Sequence, residues 1–208
     1  MTKVKICGIT NLEDAKLSSK FGADMLGFNF YQQSKRYVSP KEVATFVDEL
    51  DPTVVKIGVF VNASIEEILF ARRAGHLDAV QLHGDETADF INEVRNKVDT
   101  RIIKAVRVAS QKELDELVTL GADDFLLDSF STTEYGGTGQ AFDWDLASEL
   151  SSQDGNIYLA GGLNPENVAE AIRTVRPYAV DVASGVESSP GQKDPKKLEA
   201  FIKNAKNA

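Results

Sequence analysis

The sequence predicts an α/β fold, a (β/α)8 barrel, and three observations carry the prediction. Short apolar, β-branched runs alternate strictly with stretches of helical period. Eight strand–helix units can be counted, and 208 residues allow 26 to each. No linker, low-complexity tract or composition break divides the chain, so residues 1–208 read as one domain. Strict alternation means parallel strands joined by right-handed crossovers, and eight such units close on themselves. An open doubly wound sheet is the alternative that similar alternation could build.

The first strand is Lys3–Cys7, where Val4 and Ile6 alternate with Lys3 and Lys5. It ends in the only cysteine of the chain. Gly8 lets the backbone turn. Thr10 or Asn11 then caps a helix to Phe21, with Glu13 and Asp14 in the first turn, where the helix dipole favours negative charge. Met25–Phe30 is the second strand, and the polar loop Tyr31–Ser39 leads to Pro40, a good first helical residue. A helix over Pro40–Leu50 puts Val43, Phe46, Val47 and Leu50 on one face. Strands then follow at Val54–Val61, Ala79–His83, Arg101–Val106 and Asp124–Asp128, with helices at Ser64–Ala74, Asp85–Lys97 and Gln111–Leu120. A long loop rich in Gly, Ser and Thr, Ser129–Phe142, precedes a helix at Asp143–Leu150. Strands at Asn156–Ala160 and Ala179–Ala183, with helices at Asn164–Val175 and Pro195–Asn204, complete the count.

Composition limits what such a barrel can do. The chain is 42% hydrophobic and 26% charged, enough apolar mass for a full core. No apolar run approaches the length of a membrane span, and the N-terminus reads as a strand rather than a signal segment. One cysteine cannot form an internal disulfide, which suits a reducing cytoplasm. A net charge of -9 argues against nucleic-acid binding, since no basic patch is present to neutralise phosphates. It does not exclude a small anion, which a few backbone amides and one or two cations can hold.

Barrel chemistry sits at the C-terminal ends of the strands. The first strand presents Cys7 there, either as a small buried hydrophobe or as a base or nucleophile. The loop after the second strand carries Arg36, a surface charge or a planar fork for a substrate carboxylate. His83 ends the fourth strand and is expected only to hold a loop by a hydrogen bond. Asp128 ends the sixth after an apolar run, either as a cap or as a carboxyl placed to donate a proton. The seventh strand runs into Gly161–Gly162, and the eighth carries Asp181 and runs into Ser184–Gly185. Two small-residue turns on adjacent strands at this end point to phosphate binding. Tyr135–Gln140 reads as a lid, and Trp144 as a core residue.

Taken together, KICGIT, GFNFYQQSKRYVSP, IGVFVN, QLHGDE, LLDS, GGTGQAFDW, LAGGLNPENV and DVASGVE resemble the phosphoribosylanthranilate isomerases of tryptophan biosynthesis. The likeness covers essentially the whole chain, in order. Lys35, Tyr37 and Ala183 depart from common family residues without touching the candidate acid or base. The resemblance implies an Amadori rearrangement of a phosphosugar, with no metal and no organic cofactor. It implies Cys7 as general base and Asp128 as general acid. It also implies Arg36 on the anthranilate carboxylate and the turns at Gly161–Gly162 and Ser184–Gly185 on the phosphate. A barrel this compact is expected to be a monomer or to pair through loops as a homodimer. Another phosphosugar isomerase or epimerase, or a non-catalytic phosphate-binding barrel, would share the glycine turns. An epimerase of this kind would need paired carboxylates or a metal, and the chain has only His76 and His83 as histidines.

Overall fold

The computed structural model describes residues 1–108, 117–129, 144 and 155–208. Eight parallel strands form a closed barrel in chain order. They are β1 (Lys3–Cys7), β2 (Met25–Asn29), β3 (Val55–Phe60), β4 (Ala79–Leu82), β5 (Arg101–Val108), β6 (Asp124–Ser129), β7 (Asn156–Leu159) and β8 (Ala179–Val182). Closure is made by β1 against β8, with Lys5 level with Asp181. The open-sheet alternative is thereby excluded.

The barrel has two apolar regions because each strand is buried on both faces. Val4, Ile6, Leu26, Val80, Leu127 and Val180 point outward into the core beneath the helices. Met25, Ile57, Ala79, Ile103, Leu126, Tyr158 and Ala179 fill the interior. Above that interior layer the inward residues turn polar, and this change marks the site end.

The period-two pattern of β1 has a different meaning from the one expected of a half-solvated strand. Lys5, on the same side as Cys7, is fully buried within the barrel rather than facing water. The outward pair Val4 and Ile6 is also fully buried.

The described helices are α1 (Leu12–Phe21), α2 (Pro40–Ala44), α3 (Ile65–Ala74), α4 (Ala88–Arg95), α5 (Val168–Val175) and α6 (Pro195–Lys206). Asn11 caps α1, accepting from the Asp14 N–H. Ser39 and Glu42 close a reciprocal capping box on α2. That helix stops earlier than its apolar pattern predicts. The Thr45 hydroxyl donates to the Glu42 carbonyl, and Phe46 leaves helical geometry before a short 3-10 turn at Val47–Glu49. Val43, Phe46, Val47 and Leu50 are nevertheless all buried.

Helix α4 starts at Ala88, not Asp85, because the residues before Thr87 have other partners. Asp85 N–H donates to the Asn62 side chain, and the Glu86 carboxylate accepts from Gly84 N–H and pairs with buried Lys104. Likewise Asn164 caps a turn, accepting from the Glu166 and Asn167 N–H groups, which delays α5 to Val168. Between β8 and α6 lies an antiparallel hairpin, β9 (Glu187–Ser189) and β10 (Gln192–Lys193), that the sequence reading passes over. Of the expected helix at Gln111–Leu120, Leu117–Leu120 is a 3-10 turn. Its earlier part, the loop from 130 with the expected lid, and the expected helix at Asp143–Leu150 apart from Trp144 lie outside the described residues. Trp144 packs against the outer core, as expected. Among the described residues no helix is long and apolar enough to cross a membrane.

Candidate active site

A cavity of about 330 Å³ opens at the C-terminal end of the barrel. Cys7 from β1, Asp128 from β6 and Asp181 from β8 enter it from the strands. Arg36, Gly161, Gly162 and Ser184 enter it from the loops. Gly185 does not line the cavity but stands directly behind it. A methyl group there would overlap the Leu163 carbonyl oxygen, so the absent side chain is what lets the loops after β7 and β8 touch. Gly161 and Gly162 both have left-handed backbones, with φ of 83° and 66°. Two consecutive residues of that kind suit glycine and turn successive backbone groups toward one side. Asn167 Nδ2 donates to the Gly162 carbonyl at 3.0 Å and holds this turn.

Cys7 is half-buried at the end of β1. Burial pushes its thiol up; Lys5 pulls it down, Asp181 pushes it up and Lys193 pulls it down, and burial prevails. Lys193 reaches the same strand end from the hairpin, its Nζ donating to the Cys7 carbonyl at 2.6 Å.

Asp128 is buried, with Oδ2 at 3.4 Å from His83 Nε2. His83 also lines the cavity. Its Nδ1 lies 2.9 Å from Gln81 Nε2.

The Arg36 guanidinium meets a carboxylate belonging to this chain. Its Nε donates to Glu187 Oε1 at 2.8 Å and its Nη2 to Glu187 Oε2 at 2.7 Å. Lys193 Nζ donates to Glu187 Oε1 at 3.1 Å. Burial alone would raise Glu187, but the Arg36 hydrogen bonds and the Lys193 charge hold it below the usual carboxylate range. Gly8, with φ of 74°, is pressed by the arginine stem: a Cβ there would stand 2.6 Å from Arg36 Cδ.

Lys5, Gln81, Glu187 and Lys193 are the site residues that sequence reasoning missed. A lysine in phase with Cys7 on a barrel strand was the available signal for Lys5. Pro190–Gly191 was the available signal for the hairpin that carries the last two. Among the described residues no cluster of three or more His, Cys, Asp or Glu could hold a metal ion.

A family model for N-(5'-phosphoribosyl)anthranilate (PRA) isomerase matches residues 4–204. The N-(5'-phosphoribosyl)anthranilate isomerase of Trichlorobacter lovleyi is 50% identical over 208 residues, covering 100% of both chains. A crystal structure of phosphoribosyl anthranilate isomerase from Thermotoga maritima aligns with TM-score 0.93 at 47% identity over 100% of both chains. A phosphoribosyl anthranilate isomerase in complex with reduced 1-(o-carboxyphenylamino)-1-deoxyribulose 5-phosphate aligns with TM-score 0.89 at 44% identity, again over 100% of both chains. The chain belongs to the N-(5'-phosphoribosyl)anthranilate isomerase family.

Proposed function

We propose that this barrel converts N-(5'-phosphoribosyl)anthranilate to 1-(o-carboxyphenylamino)-1-deoxyribulose 5-phosphate, with Asp128 as general acid and Cys7 as general base. The observation that carries the reading is the convergence of these two side chains, from β6 and β1, on one cavity bordered by two glycine turns. Asp128 protonates the ribose ring oxygen, and the C1–O bond breaks as the nitrogen lone pair forms an iminium. The C2 proton is now acidic. The Cys7 thiolate removes it, and the electron pair forms the C1–C2 double bond of an enolamine. Proton transfer from the C2 hydroxyl to C1 then gives the ketone. Arg36, held by Glu187, serves the anthranilate carboxylate. Gly161–Gly162 and Ser184–Gly185 serve the phosphate, and Asp181, which lines the same cavity, serves the sugar. Anchors at the two charged ends would fix the ribose between acid and base.

The phosphate assignment makes Gly185→Ala informative. The added methyl must push the loops after β7 and β8 apart. The expected result is a KM raised about tenfold or more, together with an overpacking cost of roughly 1–3 kcal/mol in thermal unfolding. An unchanged KM would remove this turn from substrate binding.

The reaction needs one proton on the acid–base pair, on the carboxyl and not on the sulfur. At high pH that proton is lost and the ring oxygen can no longer be protonated. Burial holds the Cys7 thiol proton above its ordinary range. The alkaline limb of kcat/KM, followed by loss of substrate fluorescence, is therefore expected above the ordinary thiol value. A limb well below that value, or no turnover of this substrate, would contradict the reading. The sole cysteine fits a cytoplasmic enzyme, and a described relative from Thermotoga maritima is dimeric, so the assembly is expected to be a monomer or a homodimer.

A further inference from the structure

Lys5 is a fully buried cation that the acid–base chemistry does not employ directly. Its Nζ donates to Asp181 Oδ1 at 2.9 Å, and its charge acts on the Cys7 thiol nearby. Strand β2 shows how tightly these groups share one spot. A Cβ built on Gly27 would lie 2.9 Å from Cys7 Sγ and 3.2 Å from Lys5 Nζ. Gly27 is level with Cys7 in the β1–β2 register, so the bare strand leaves the space that both side chains use.

A lysine in a barrel interior is expensive unless its charge has partners. Burial favours the neutral amine, yet Asp181 and then Cys7 outweigh it and keep Lys5 charged. The groups facing the sulfur can be named element by element. Lys5 comes from β1, Asp181 from β8 and Lys193 from β10, while β2 offers only Gly27. Behind Lys193 stand Glu187 on β9 and, through it, Arg36. Asp128 lines the cavity from β6. Of these, Lys5 and Lys193 pull the sulfur toward ionisation and Asp181 opposes them.

We propose that Lys5 is a positioning residue for the reaction: lodged between Asp181 and Cys7, its ammonium is the counter-ion for the thiolate that takes the substrate proton, and Asp181 limits how far it favours that charge. The inference rests on Cys7 being the base. No atom of Lys5 needs to touch substrate.

The two partners of Lys5 give the test opposite signs. Cys7 is the only cysteine, so the pH dependence of iodoacetamide alkylation of the free protein reads its thiolate directly. Lys5→Met keeps the bulk and removes the charge. Its alkylation rate at neutral pH is expected to fall about tenfold, with the midpoint moved up by about one unit. Asp181→Asn removes the opposing charge, and its midpoint is expected to move down with faster alkylation. The alkaline limb of kcat/KM for Lys5→Met should shift the same way as its alkylation midpoint. Unchanged alkylation in both variants would overturn the proposal. So would acceleration in both, the sign of a loosened barrel rather than of lost charge. Asp181→Asn keeps the test open if Lys5→Met does not fold, since an upward or absent shift in it alone is contradictory. Cys7→Ser separates the two readings. Opposite alkylation shifts with an active Cys7→Ser variant would refute Cys7 as base. An inactive Cys7→Ser variant with no alkylation shifts would refute only Lys5.

Discussion

Cys7→Ser is expected to lower kcat by about two to four orders of magnitude, the usual worth of a positioned general base. A serine hydroxyl is close in size to the thiol but holds its proton too firmly to supply an anion near neutral pH. The half-buried sulfur and its neighbours Lys5 and Lys193 stay nearly the same shape around it, so the barrel should fold as before. In free-energy terms the loss is about 3–5 kcal/mol of transition-state stabilisation, at 1.36 kcal/mol per tenfold. Steady-state turnover with unfolding monitored in parallel checks it. Turnover within a few-fold of the parent would remove Cys7 from the mechanism.

Asp128→Asn should cost a similar factor, about 10²–10⁴ in kcat, for the complementary reason. The amide fills the same volume beside His83 but has no proton to give to a ring oxygen, and ring opening must precede loss of the C2 proton. The carboxyl is buried, and the His83 ring faces it at 3.4 Å. Asparagine keeps the shape of the carboxyl, so the local geometry should survive. A variant that opens the ring at a normal rate would show that the acid lies elsewhere.

Much of the barrel was legible in the sequence because parallel strands buried on both faces are short apolar runs, and each run stands between helices with strong caps. Asn11, Ser39, Ser64 and Thr87 all cap described helices. Helix lengths were less legible. Thr45 and the Asp85–Glu86 pair satisfy nearby backbone or side-chain groups instead of continuing a helix, and periodicity does not register that competition. The lining of the site was legible to the extent that it lies at strand ends. Cys7, Arg36, Asp128, Gly161 and Gly162 line the cavity from the strand ends and loops where the sequence puts them.

What supports those residues was not. Lys5 reads as the wet side of a strand until the sheet closes and turns that side inward. Glu187 and Lys193 occupy a hairpin too short and polar to stand out as strands, yet they join Arg36 to the backbone at Cys7 across the barrel mouth. The partner of Arg36 is 151 residues away in the chain, a distance no local pattern spans.

The division of labour between the strand-end pair and the anchoring loops is tested most directly by measuring binding of reduced 1-(o-carboxyphenylamino)-1-deoxyribulose 5-phosphate to Cys7→Ser and Asp128→Asn alongside their turnover. The expected result is affinity within a few-fold of the parent in both variants, with turnover lost in both. Near-parental turnover in either variant, or affinity that collapses together with turnover, would contradict the assignment of proton transfer to these two residues and of binding to the loops around them.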